Sequence, residues 1–260
     1  MVFGALGAPA LAACFGLLWG SFVGVLVDRI PRGADVVRGR SRCDACDATL
    51  GAVDLVPVIS WLALRGRCRH CGAKVPARWT LIEGATALLF VLAEVAAPDT
   101  WSAIGLAPFL GVLLALTLID VATRRLPNAI VYPTAVVAAV WVVLGVPVGS
   151  ALDVGGAAIG ALAFGGSLLL VTIASRGGMG LGDVKLAGVI GLVVGALDLP
   201  SVGVAAGAAI AFGGVAAIVA LLRGADRRSA LPFGPMLAAG ALVAVAAGPR
   251  IADAYIGLFS

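Results

Sequence analysis

Residues 101–120 read WSAIGLAPFLGVLLALTLID: nineteen residues without a charge, closed by Asp120 and followed within a few positions by Arg124 and Arg125. A helix crosses the apolar core of a bilayer in about 17–25 residues, so this run is long enough to span. Similar runs at 4–27, 80–97, 128–146, 151–174, 183–197, 200–222 and 233–248 bring the expectation to about eight transmembrane helices. The fold expected is therefore an all-α polytopic membrane protein. Composition agrees, since 61% of the chain is hydrophobic and only 12% charged, with a mean hydropathy of +1.10. A soluble domain carries about a quarter charged residues.

The basic residues give the orientation. Arg29, Arg32, Arg38, Arg40, Arg42, Arg65, Arg67, Arg69, Lys74 and Arg78 fall between the first two runs. Arg124 and Arg125, then Arg176 and Lys185, then Arg223, Arg227 and Arg228 occupy alternate later loops, and of the 18 Lys and Arg only Arg250 lies elsewhere. Loops rich in Lys and Arg stay in the cytoplasm, so both termini are expected outside. Topology and the anionic headgroups of the lipid bilayer account for the net charge of +4, and no nucleic-acid partner is called for. Leu11-Ala12-Ala13-Cys14 resembles a lipoprotein processing box. No Lys or Arg precedes it and apolar sequence continues to Val27, which fits a retained helix. Gly16, Gly20 and Gly24 recur on one face of that helix, a spacing that lets a neighbour approach closely.

Three regions follow: a first transmembrane helix over 1–27, a cytoplasmic loop over 28–79, and a membrane core over 80–260. The loop is too short to fold on an apolar core alone. It holds Cys43-Asp44-Ala45-Cys46 and Cys68-Arg69-His70-Cys71, two C-x2-C pairs separated by 21 residues. Four thiolates suit tetrahedral zinc, and a site filled by four protein ligands is structural because no position is left for water. Disulfides rarely persist in the reducing cytoplasm. His70, the single histidine, is expected to be exposed beside the second pair. The stretch containing Leu55, Val56, Val58, Ile59, Trp61, Leu62 and Leu64 is too short to span and is expected at the interface or against the helices.

Carboxylates at membrane depth are functional candidates. Asp120 closes one helix and Asp183 opens another within Gly180-Leu181-Gly182-Asp183-Val184-Lys185, so the topology puts both at the cytoplasmic edge. Singly, Asp183 reads as a helix cap and Asp120 as an interfacial charge. Together they form a candidate acid–base pair, because neighbouring carboxylates share a proton and one activates water while the other donates. The glycines allow close approach of a substrate backbone. Helix dipoles favour the charge on Asp183, at a helix start, and the proton on Asp120, at a helix end.

The chain resembles the type IV prepilin leader peptidases, membrane aspartic enzymes with a Gly-x-Gly-Asp signature. The matching segments run in family order: Trp19-Gly20-Ser21-Phe22 and Arg29-Ile30-Pro31; the two Cys pairs; Pro57-Val58-Ile59-Ser60-Trp61 and Arg65-Gly66-Arg67-Cys68; Asp120 with Leu126-Pro127-Asn128; Gly178-Met179-Gly180-Leu181-Gly182-Asp183-Val184-Lys185-Leu186; and Pro232-Phe233-Gly234-Pro235. Gly24 stands where the family commonly has Asn. The resemblance implies that Asp120 and Asp183 are catalytic and that Gly180, Gly182, Lys185, Pro232, Phe233, Gly234 and Pro235 support them. It implies prepilin and pseudopilin substrates, cut at the cytoplasmic face of the bacterial inner membrane. It also implies, for many members, methylation of the new N-terminus with S-adenosylmethionine. Two other readings of the carboxylates are a presenilin-like intramembrane protease and a proton-coupled transporter. The four-cysteine loop weighs against the first, and the absence of acidic residues marking a path across the bilayer weighs against the second.

Overall fold

The computed structural model describes residues 2–175, 179–224 and 232–258, with side chains from Gly7 onward. Gly178 and the basic residues Arg176, Arg227 and Arg228 lie outside the described residues. Eight long helices follow one another: α1 (Val2–Arg29), α3 (Arg78–Ala96), α4 (Thr100–Thr123), α5 (Asn128–Gly145), α6 (Val154–Ala174), α7 (Leu181–Leu197), α8 (Ser201–Leu222) and α9 (Gly234–Ile256). A short α2 (Ile59–Ala63) lies in the loop between α1 and α3. Seven of the long helices have both the length and the apolar character to cross a membrane, and α7, at 17 residues, is the shortest of the eight. The last helix runs eight residues beyond its expected end at 248, because it continues through Pro249. Membrane helices tolerate proline where neighbouring groups satisfy the freed carbonyl.

Helices in lipid gain little from apolar burial against one another and associate by close packing of small residues. The antiparallel pair α6 and α7 shows how. Cβ atoms placed on Gly160 and Gly191 would each strike the other's carbonyl oxygen, and Gly156 and Gly195 meet in the same reciprocal way. The α1–α3 pair uses the expected glycine face: a Cβ on Gly16 would lie 2.6 Å from Ala87 Cα and one on Gly20 2.6 Å from Glu83 Cα. Gly240 and Gly248 bring α9 against Ala205 and Ser201 of α8.

Helix α4 is the axis of the bundle. Of its most apolar stretch 61% is buried, against 11% in α8, which therefore offers most of its surface to lipid. Leu106, Leu110, Leu113, Leu116 and Ile119 are almost fully enclosed, and this inward face runs on to Asp120. At the opposite end Trp101 and Trp141 exchange indole N–H donations to each other's carbonyls, at 3.1 and 3.0 Å, fixing α4 on α5. Asp99 caps α4 and also accepts from Ser150 and the Ala151 N–H. Burial opposes its charge, but the N–H groups of Ala151 and Ser102 and the Ser102 and Ser150 hydroxyls outweigh that and hold Asp99 at about 2.

Candidate active site

The ends of four helices converge where the basic loops lie. Asp120 sits in the last turn of α4 and is only 4% exposed. Its Oδ2 accepts the Gly234 N–H at 3.0 Å, a donor supplied by a residue 114 positions away. Gly234 is the first residue of α9, where a backbone N–H has no partner in its own helix. Pro235 follows at a position where its missing N–H loses nothing. A Cβ at 234 would come within 2.6 Å of Asp120 Oδ2, so a larger residue there would displace the carboxylate. Phe233 packs on Gly213 of α8, and Pro232 leads into it half-buried. The expected contrast between the two aspartates is therefore lost: Asp120 ends one helix but faces the start of another, so helix dipoles do not assign acid and base.

Asp183 lies in the first turn of α7, whose cap is Gly180, so Asp183 is not the capping residue. Its own N–H donates to the Gly180 carbonyl at 3.1 Å, leaving its half-buried side chain for the cavity. Gly182 lets this turn lie against Leu126, where a Cβ would approach the Leu126 Cβ to 3.1 Å. Lys185 is outside the cavity lining. It donates to Asn128 Oδ1 at 3.0 Å and lies 4.9 Å from the Tyr132 ring, docking α7 on α5.

Asp120 and Asp183 line one cavity of about 670 Å³, with Ile30, Pro31, Thr123, Arg124, Arg125, Leu126, Pro127, Gly180 and Gly182. Two carboxylates on a shared cavity can divide one proton, which equips them to activate water and protonate a leaving group. Ile30 and Pro31, in the turn Ile30–Arg32 after α1, stand in the sequence as part of the segment Arg29-Ile30-Pro31 but not as residues of the site. Nothing local connects them to an aspartate 90 positions away.

The cysteine loop is built from two matching hairpins. Cys43 N–H donates to the Ala48 carbonyl and Cys68 N–H to that of Ala73; Asp47 and Gly72 N–H groups return to the carbonyls of Cys43 and Cys68. Asp47 and Gly72 both take positive φ, 55° and 70°, and bridges Arg42–Thr49 and Arg67–Lys74 close the two hairpins in the same register. The sequence carries this repeat as Arg-Cys-x-x-Cys-x-Ala at 42–48 and 67–73. All four Sγ atoms lie within 4.8 Å of one another, with Cys43 and Cys71 at 3.9 Å, and all four cysteines are free. Tetrahedral zinc with bonds near 2.3 Å separates its sulfurs by about 3.8 Å. The Ala45 and Cys46 N–H groups draw the Cys43 thiol down to about 7. The Ala48 N–H acts on Cys46 in the same sense but is outweighed, chiefly by the Cys71 and Cys43 thiols, which push it up to about 12. Four thiolates this close need a cation among them, and the donor set fits zinc. His70 is exposed, as expected. In the loop's apolar stretch Ile59 and Leu62 stay about 60% exposed, whereas the Trp61 indole N–H donates to the Val75 carbonyl at 3.0 Å.

Residues 14–97, which include all four loop cysteines, match the family described as Bacterial Peptidase A24 N-terminal domain. Residues 107–218, which include both aspartates, match the Type IV leader peptidase family. The chain is 32% identical to a prepilin leader peptidase/N-methyltransferase of Aeromonas hydrophila, over 96% of this chain and 94% of that one. A Bacillus subtilis protein of the same name is 32% identical over 93% and 95% of the two chains, and one from Burkholderia pseudomallei 35% identical over 89% and 82%. No solved structure matches. Two family matches in tandem and relatives aligned over nearly full length make this chain an enzyme of the type IV leader peptidase family.

Proposed function

We propose that this chain is an inner-membrane aspartic endopeptidase that removes the leader of type IV prepilins and pseudopilins at the cytoplasmic face. The carrying observation is the shared cavity of Asp120 and Asp183 at the end of the bundle that bears the basic loops. One carboxylate takes a proton from water, whose oxygen attacks the scissile carbonyl. The other, protonated, first donates to the carbonyl oxygen and then, through the shared proton, lets the amine leave as the C–N bond breaks. Gly180 keeps the space beside the Asp183 carboxylate clear, Gly182 seats that turn on Leu126, and Gly234 fixes the Asp120 carboxylate.

Cys43, Cys46, Cys68 and Cys71 would hold zinc as a structural ion that staples the two hairpins, with no part in hydrolysis. The relatives' name pairs the peptidase with an N-methyltransferase. We carry that second activity to this chain, with S-adenosylmethionine as methyl donor. Incubating purified protein with a prepilin peptide tests the reading: one cut between the basic leader and the hydrophobic helix is expected. Cleavage inside the hydrophobic helix, or none, would contradict it.

A further inference from the structure

A second cavity, of about 490 Å³, lies between the cysteine loop and the adjoining ends of α1 and α3. Its volume falls within the roughly 300–1,000 Å³ of small-molecule sites. Trp61 and Trp79 form aromatic walls, and Gly24 lies beside the Trp79 ring, where a Cβ would make an ordinary contact at 3.4 Å. Three of its four acidic residues are accounted for: Asp28 pairs with Arg32, Asp54 pairs with Arg69, and Asp44 is exposed. Glu83 differs. It projects half-buried from α3 and no cation pairs with it among the described residues. Its Oε2 accepts the Val58 N–H at 2.7 Å, and the Ser21 hydroxyl also donates to the carboxylate.

That N–H is presented at a cost. Val58 has φ 60° and ψ −50°, and the Ile59 N–H closes back on the Pro57 carbonyl at 2.5 Å, the rare, strained hand of γ-turn. Strain in a β-branched residue persists where surrounding structure fixes it, and such sites cluster at functional groups. The second cavity also adjoins the first. Ile30 and Pro31 line the aspartate cavity, while Asp28, Arg29 and Arg32 line this one. Residues 28–32 therefore border both cavities, while Glu83 lies deeper in the second one, against Gly20 of α1.

We infer that this second cavity binds the new N-terminal ammonium of the cleaved substrate together with a cationic methyl donor, and that Glu83 is the carboxylate that receives the ammonium. The inference rests on the proposed second activity and gives it a place and a residue. Both ligands are cations, which a half-buried carboxylate without a counter-ion among the described residues, between aromatic walls, attracts. Glu83 accepts a proton from the ammonium, and the freed nitrogen lone pair attacks the donor's methyl carbon. The N–CH₃ bond forms as the S–CH₃ bond breaks, its electron pair returning to sulfur. Sulfonium becomes neutral thioether, and the positive charge passes to the methylated amine.

Glu83→Gln tests this without undoing the loop, because the amide oxygen still accepts the Val58 N–H. Methylation of a pre-cut peptide should fall about 100-fold or more, the range for loss of a general base. Prepilin cleavage and zinc content should remain within threefold of wild type. Wild type should also bind the free-amine peptide more tightly than its N-acetylated form, and Glu83→Gln should lose that preference. Methylation by Glu83→Gln within threefold of wild type would overturn the inference. So would parallel loss of cleavage and zinc, which would make Glu83 a purely structural anchor. A wild type that cuts but does not methylate would contradict the proposed second activity instead, and the amine preference would then decide the role of Glu83.

Discussion

The aspartate cavity and the cysteine loop hold their reactive groups by opposite means. Each C-x2-C pair is set by a hairpin of eight residues, and a cation is needed only to join two hairpins that are already formed. The aspartate cavity has no local unit. Asp120, Asp183 and Gly234 belong to three helices and meet only when the bundle has packed. The loop should therefore fail when metal is withdrawn and the membrane site when helix packing is disturbed, each largely without the other.

The largest expected effect is at the aspartates. Asp120→Asn and Asp183→Asn should each lower prepilin cleavage by at least about 10³-fold, since acid and base act as one unit. Protein yield and zinc content should be unchanged, as read by peptide cleavage and metal analysis. Removing the metal tests the other half of the comparison. Metal analysis should find about one zinc per chain, and Cys43→Ser with Cys46→Ser should abolish it, exposing 28–79 to proteolysis while the helices stay protected. Unchanged zinc content would break the four-thiolate assignment.

Packing effects should be smaller. Gly160→Leu must separate α6 from α7, with an expected loss of about 1–3 kcal/mol, lowering thermal stability and cleavage together while leaving zinc in place. The smallest effect is expected at Asp99, far from both sites. Asp99→Ala removes a helix cap worth about 1 kcal/mol. The carboxyl is depressed to about 2 in the folded protein, below its usual value near 3.9. The wild-type advantage should therefore be complete above about pH 4 and disappear as pH falls through 2, as measured by thermal unfolding in detergent.

Much of this is legible in the sequence. Uncharged runs of spanning length mark the helices, and the Arg and Lys sort to one set of loops. The cysteine spacing and compartment suggest the metal, and two aspartates at one depth suggest a pair. The Gly16–Gly20 face does pack a neighbour. What escaped depends on distance along the chain. The Gly234 N–H reaches Asp120 across 114 residues, and it removes the dipole contrast drawn from helix ends alone. Ile30 and Pro31 enter the cavity only through the packing of α1. The continuation of α9 past Pro249 depends on its neighbours, which local propensity does not report. The hairpin repeat at 42–48 and 67–73 is present in the sequence, but its Arg and Ala positions take on meaning only once the bridges Arg42–Thr49 and Arg67–Lys74 set a common register.

The central claim is that Asp120 and Asp183 work as one pair on one cavity. The most direct measurement compares the single-turnover cleavage rate of a prepilin peptide by wild type, Asp120→Asn, Asp183→Asn and the double variant in the same lipid. The account predicts that both single variants lose at least about 10³-fold and that the double variant is no slower than either, because a broken unit cannot be broken again. A single variant cleaving near the wild-type rate, or a double variant slowed by the product of the two single losses, would contradict it.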